Sequence, residues 1–329
     1  PLRHEVARDR RYLDHPVFRN FYARTVVDYV QLWDKDGDGI PEHYPAYGRR
    51  GIASYNEDVA RPYNAGDLIA TQAAAYDAYA AMLELGNGAD GSAAGAWRAK
   101  AQALRAIYDT EWWCAQSSRF AGLRRHNLSY ECSYCGIANF FPLALNLIED
   151  KAKAELALAE VIRRRRQHCI EERSYLPELF YAYGHPLVAR DELMEQLEPG
   201  YARREYPEVS YAAIGSIVAG MLGITPDART QSVSTCSRLT DDVAWVEIMS
   251  LPSLTNVIDV RHEGQTRTVI TNRSGPTLHW QALFAGQHDD LLLDGASHRT
   301  QLVKDANGKP QSMLKVDVHA NTTRVVSVA

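Results

Sequence analysis

Carboxylates are the residues of this chain best placed to do chemistry. Asp34-Lys35-Asp36-Gly37-Asp38-Gly39-Ile40-Pro41-Glu42 sets acids at the first, third and fifth positions, with glycines that permit a tight turn. Side chains at alternate positions of such a loop turn toward one interior, and the pattern fits calcium, which takes about six to eight oxygens. Asp34, Asp36 and Asp38 would offer carboxylates, Ile40 its carbonyl, and Glu42 a further carboxylate. Pro45 stands where a complete EF-hand carries its bidentate glutamate. The loop is therefore not an EF-hand, and its ion would be structural. The other reading is an acidic, glycine-rich turn following a helix.

A second group, Ser54-Tyr55-Asn56-Glu57-Asp58-Val59, places adjacent acids among tyrosines ahead of an alanine-rich helix. Aromatic faces stack on sugar rings, and a carboxyl whose pKa is raised can act as a general acid. The same residues could instead cap a helix or form surface ion pairs. A third group, Arg203 to Tyr211, puts Glu208 directly before an apolar helix, where it is either a base or a first-turn acid favoured by the helix dipole. Glu195, in Met194-Glu195-Gln196, is a lesser candidate on a solvated face. A fourth group holds His126, Asn127 and Tyr130, residue types that abstract protons in polysaccharide lyases or bind sugar hydroxyls. Tyr55, Tyr63, His126, Tyr130 and Tyr206 are the candidate substrate contacts.

Helices must position these groups over the first two-thirds of the chain. The spacing of apolar residues predicts helices over 16–33, 66–85, 92–113, 137–148, 151–166, 177–183, 186–197 and 209–222. Apolar helices alternate with amphipathic ones, as two concentric layers require: an inner helix is covered all round and an outer one keeps a wet face. About eight helices make roughly four hairpins, fewer than the six of a closed toroid. An exposed apolar edge is expected, to be covered by a missing upstream segment or by a homo-oligomeric partner. From Val243 the sequence alternates and favours β-branched residues, with turns at Glu263-Gly264, Ser274-Gly275-Pro276, Asp294-Gly295 and Asn307-Gly308. An antiparallel β-sandwich is expected there. The predicted domains are 1–228, part of an (α/α)6 toroid, and 229–329, the sandwich.

Composition excludes several classes. A net charge of −5 argues against a nucleic-acid partner, and no apolar run is long enough for a membrane span. The basic run Arg163 to Arg166 ends a helix, where it complements the dipole. Five cysteines include a lone C-x-x-C, Cys132 to Cys135, read as ordinary thiols because a zinc ribbon needs a second pair. The substrate expected is an oligosaccharide or glycoside. A periplasmic or secreted location is preferred to a cytoplasmic one.

In this order the pieces resemble the six-hairpin (α/α)6 glycosidases, the broad group of glucoamylase, processing α-glucosidase and bile-acid β-glucosidase. The Asp34–Glu42 stretch is similar to their D-x-[DN]-x-[DN]-G-x-P-E loop, which binds calcium in some members. Tyr55 to Val59 resembles the segment carrying their general acid. Glu57 matches the acid of the glucoamylase motif, whereas the β-glucosidase version has an aspartate where this chain has Asn56, so the acid is Glu57 or Asp58. Ser210-Tyr211-Ala212-Ala213 looks like the start of the last inner helix, which makes Glu208 or Glu195 the base, with Glu208 preferred. The resemblance implies a two-carboxylate, inverting glycoside hydrolase. The alternatives are a lyase using Tyr130, His126 and Asn127, or a non-catalytic carbohydrate-binding scaffold.

Overall fold

A computed structural model of the chain describes residues 9–43, 62–86, 91–202 and 206–329. Two compact units are present, one from Arg10 to His168 and one built from Cys169 to Ala329. The change from helices to strands falls later than that division, at Thr225.

The first unit is helical. α1 (Arg11–Asp14), α2 (Pro16–Val26) and α3 (Asp28–Trp33) lead into the acidic loop. The periodicity predicted one helix over 16–33, and the structure divides it at Val27, which stays right-handed but is distorted to φ −112° and ψ −71°. β1 (Asn64–Ala65) opens directly into α4 (Gly66–Leu85), the alanine-rich helix, and α5 (Gly91–Glu111) packs along it. Alanines 70, 73 and 80 are fully buried, which lets the two helices approach closely, and Trp97 of α5 wedges against Tyr76 and Tyr79. Gly66 is required at the start of α4: a Cβ there would lie 2.2 Å from the Ala138 carbonyl oxygen.

Short strands β2 (Trp113–Cys114), β3 (Arg119–Phe120), β4 (Leu123–Arg124) and β5 (Tyr130–Glu131) follow, then α6 (Ile137–Ala144) and α7 (Lys151–Arg164). α6 ends sooner than predicted because Pro142 lies inside it and Asn146 turns left-handed at φ 54°. α7 starts on an Asp150 cap and ends in Arg163 and Arg164, both of which reach back to Glu160. Cys114 and Cys132 form a disulfide, which corrects the expectation of ordinary thiols. Their loops are brought together by the strands flanking them, a proximity that a spacing of eighteen residues does not announce.

The second unit opens with α8 (Ile170–Ser174), α9 (Leu176–Ala182), α10 (Pro186–Leu197) and α11 (Pro207–Gly215), the last continuing into a π-helical turn over Ser216–Met221. Eleven strands follow: β6 (Thr225–Asp227), β7 (Ser232–Cys236), β8 (Trp245–Ser253), β9 (Asn256–Glu263), β10 (Arg267–Ser274), β11 (Leu278–Ala285), β12 (Asp290–Leu293), β13 (Ala296–Arg299), β14 (Gln301–Lys304), β15 (Pro310–Val318) and β16 (Thr322–Val328). They form a six-stranded sheet ordered β13-β12-β16-β10-β9-β8 and a five-stranded sheet ordered β14-β15-β11-β7-β6.

Period-two alternation makes this a sandwich. Ile258, Val260, Ile270, Leu291 and Val326 from one sheet meet Val233, Leu278, Trp280, Phe284, Val316 and Val318 from the other in a single core. Each such side chain, fully buried, contributes about 1.5–3 kcal/mol. One pair departs from the expected antiparallel order: β7 runs parallel to β11, from Ser232 opposite His279 to Cys236 opposite Leu283. β6 and β7 also lie upstream of the predicted start of the strands. Gly223 (φ +57°) turns the chain between the helices and the sandwich, and a Cβ there would meet the Cys236 carbonyl oxygen at 2.2 Å.

Candidate functional site

The acidic loop folds as its spacing implies. Asp34 accepts the amides of Gly37 (2.8 Å) and Gly39 (3.0 Å), Asp36 accepts that of Asp38 (3.1 Å), and Asp38 accepts that of Ile40 (2.8 Å). Gly37 and Gly39 both take positive φ, which only glycine adopts without strain. The loop closes where Glu42 donates its amide to the Trp33 carbonyl at 3.0 Å. One carboxylate oxygen from each of Asp34, Asp36, Asp38 and Glu42 falls within a group spanning no more than 4.8 Å.

Glu42 is the unusual member. It is fully buried; one of its carboxylate oxygens accepts the Lys35 amide, and the other, Oε1, has no hydrogen-bond partner among the described residues. Burial, reinforced by the three neighbouring aspartates, pushes its pKa up to about 7. Burial likewise raises Asp38, which Arg124 faces at 3.7 Å. Ile40, named from the sequence for its carbonyl, has a buried side chain that anchors the loop.

The loop is tied to an aromatic and cationic cluster on the three-stranded sheet β1-β4-β5. Tyr63 donates its hydroxyl to Asp36 at 2.8 Å, and its main chain bridges His43 and Arg124. The Arg124 guanidinium lies over the rings of Tyr63 and Tyr130, 5.8 and 5.6 Å from their centroids. His126 meets the Tyr63 ring edge-on, and Tyr130 meets Trp112 the same way. Three of the predicted substrate contacts, Tyr63, His126 and Tyr130, are thus brought together beside the acidic loop. Arg124, which organises them, was not singled out from the sequence; its place two residues before His126 was the available signal.

The residues offered for a lyase have partners of their own. The Asn127 side-chain oxygen accepts both the amide and the hydroxyl of Ser129, which fixes a turn. Burial raises the Tyr130 hydroxyl, opposed by Arg124, so the phenol is held away from the ionised form a base needs.

In the second unit Glu208 stands in the first turn of α11 behind Pro207, exposed, with Val209 buried beneath it. Tyr206 precedes it half-buried, and Tyr211, one turn on, is 74% exposed. Glu195, expected on a solvated face, is half-buried and bound by Arg173 at 2.9 Å; the same guanidinium holds the buried Glu192 at 2.7 Å. Tyr55, Glu57 and Asp58 lie outside the described residues.

No protein-family model and no curated protein matches the chain. Solved structures do. The α-L-rhamnosidase from Dictyoglumus thermophilum superposes with a TM-score of 0.61 at 12% identity, covering 98% of this chain and 38% of that one. The GH78 family rhamnosidase of Bacillus sp. GL1 gives 0.54 at 14% identity over 80% of this chain and 30% of that one. A sialidase gives 0.51 at 13% identity over 98% and 32%. The likeness is one of fold. The chain spans 30–38% of the length of these three proteins. Among the described residues no helix is long and apolar enough to cross a membrane.

Proposed function

We infer that the chain belongs to a glycoside hydrolase. The observation that carries this reading is the fold shared over 98% of the chain with an α-L-rhamnosidase, alongside the sugar-compatible cluster of Tyr63, Arg124, His126 and Tyr130. Fold alone does not assign chemistry, so the reading rests equally on the acids. Glu208 is the proposed base, exposed on its helix where water and substrate reach it. Glu57 or Asp58 is the proposed acid, assigned on the sequence pattern alone. With the two in opposite roles the reaction inverts the anomeric centre.

The helices are proposed to form part of an (α/α)6 ring. Val17, Phe21 and Leu32 are 66%, 62% and 58% exposed on α2 and α3 and line an apolar groove against α4. Further hairpins, from a longer chain or a second copy, are the proposed cover. The acidic loop is proposed to bind calcium through Asp34, Asp36, Asp38, Glu42 and the Ile40 carbonyl. Its carboxylates fit an ion that takes oxygens at about 2.3–2.6 Å, and the unpartnered Glu42 oxygen is the atom such an ion would satisfy. The ion would pin the loop that carries Tyr63's partner Asp36. The lyase alternative draws no support from a raised Tyr130 and an Asn127 committed to a turn. A periplasmic or secreted location accords with the Cys114–Cys132 disulfide.

The test is hydrolysis of a panel of aryl glycosides, α-L-rhamnoside included, by the intact chain and by Glu57→Gln and Glu208→Gln. Loss of about 10²–10⁴-fold in both folded variants is expected. Unchanged turnover in Glu208→Gln would remove it as the base.

A further inference from the structure

Glu178 was not marked by any sequence motif, and its surroundings set it apart. It lies in the first turn of α9. Solvent reaches it, yet dehydration by the atoms packed around it raises its pKa above the ordinary carboxylate value, with no other cause contributing. Among the described residues no hydrogen bond or ion pair engages it.

Its neighbour in space is α11. The Glu178 carboxylate oxygen Oε2 lies 3.4 Å from where a Cβ of Gly215 would stand, so the absent side chain leaves that oxygen uncovered. Gly215 is seven residues beyond Glu208. Residues at i, i+4 and i+7 share a helix face, so Glu208, Ala212 and Gly215 form one stripe along α11. At about 1.5 Å of rise per residue, Glu208 lies roughly 10 Å along the helix from the position Glu178 touches. The exposed Tyr211 ring stands between the two on the adjacent stripe. Two carboxyls bracketing an aromatic face at this spacing can be bridged by one sugar unit and its linkage.

We propose that Glu178 is a second substrate-contacting carboxyl of the Glu208 site, donating a hydrogen bond to a sugar oxygen held over Tyr211; this rests on the glycosidase reading. The charges around it are consistent with a retained proton. Arg173 is held by Glu192 and Glu195, and Arg190 by Asp242, while Arg238 donates to the carbonyls of Ala219 and Gly220 and faces Tyr181 of α9. Lys309 lies against Gly184, beyond the far end of α9. The remaining charged side chains on the helices packed against α9, which are Glu171, Glu172, Asp191 and Glu208, are acidic. Dehydration shifts a carboxyl toward its neutral form, and a neutral carboxyl donates where a carboxylate can only accept.

The experiment compares the intact chain with E178Q and E178A on the aryl glycoside that the parent cleaves best, after circular dichroism shows that all three fold. E178Q keeps a donor, so its KM should stay within about threefold of the parent; E178A should raise KM about tenfold, with kcat falling less. E178A indistinguishable from the parent in KM and kcat overturns the assignment and leaves the glycosidase reading standing. If the parent cleaves nothing in the panel, the glycosidase reading fails, and sugar contact is then read directly by NMR of isotope-labelled glutamate with free monosaccharides. Movement of the Glu178 carboxyl resonance, assigned by its absence in E178Q, upholds the contact; no movement at the highest soluble sugar overturns it.

Discussion

The sandwich and the acidic loop treat buried polar groups in opposite ways. Inside the sandwich His262 is sealed from solvent, yet both ring nitrogens are answered, one by the Thr268 hydroxyl and one by the Leu222 carbonyl, each at 2.9 Å. Asn272 reaches the carbonyls of Pro276 and Val318, and the Trp280 indole N–H donates to Thr235 at 2.9 Å. In the loop, Glu42 is equally sealed, but one oxygen finds no partner among the described residues and three aspartates lie beside it. A satisfied polar core fixes a structure. An unsatisfied one costs about 1–3 kcal/mol, and it is on this cost that the calcium proposal can be tested.

That contrast can be broken at four points. The largest effect is expected at Trp280→Ala, which removes a fully buried indole and leaves Thr235 without its donor. Chemical denaturation should show about 3–5 kcal/mol of destabilisation, and a loss below 1 kcal/mol would mean that the sandwich core is not packed as described. Next is the pH response of His262, whose burial depresses its pKa from 6.5 to about 4. In the unfolded chain it protonates first as pH falls, so its contribution is intact above pH 6.5 and is lost progressively between 6.5 and about 4. The loss amounts to about 3 kcal/mol, and His262→Gln should flatten that slope in melting curves recorded across the window.

Third comes the loop. Calcium at about a hundred times its Kd should stabilise the chain by about 2.7 kcal/mol, seen as a rise in Tm that a chelator reverses. Glu42→Gln should abolish the rise; an equal rise in that variant would place the ion elsewhere. The smallest effect belongs to Arg299, whose partners Asp289 and Asp290 lie 4.0 and 3.8 Å away on an exposed edge. Arg299→Ala should change stability by less than about 0.5 kcal/mol. A larger cost there would show that surface pairs, rather than interior ones, hold the sandwich.

The two regions were also unequally legible. Leu278 to Ala285 alternates so regularly that its inward face, Leu278, Trp280, Ala282 and Phe284, can be read from the residues. The acidic loop was equally plain, since the spacing of its acids and glycines is a local property of the chain. Strand β7 was hidden because the inward position beside Val233 is Thr235, a polar residue buried by a partner, Trp280, that lies far away in sequence. The break at Val27 was hidden because β-branched and apolar residues continue through it without a glycine or proline. Glu178 carries no motif. What distinguishes it is the absence of a side chain on Gly215, thirty-seven positions away, and no local pattern encodes that. Periodicity and ligand spacing are written along the chain, whereas unpaired oxygens and bare helix faces exist only once distant segments meet.

The parallel pairing of β7 with β11 has a consequence for the order in which the sandwich can be assembled. Strands β8, β9 and β10 are joined by short turns and can zip together as soon as each is made. β7 cannot, because the strand beside it begins more than forty residues later, and in between lies the whole β8-β9-β10 meander. Closing that loop costs chain entropy before any contact compensates it. Until then the Ser232–Cys236 segment has only the three-residue β6 to pair with, and the inner edge of β11 stands open. On a ribosome that edge waits for no new synthesis, since β7 has already emerged; it waits for a search. The pairing of β7 with β11, like that of β10 with β16, is therefore a late step in the birth of this chain, and the meander is its early seed.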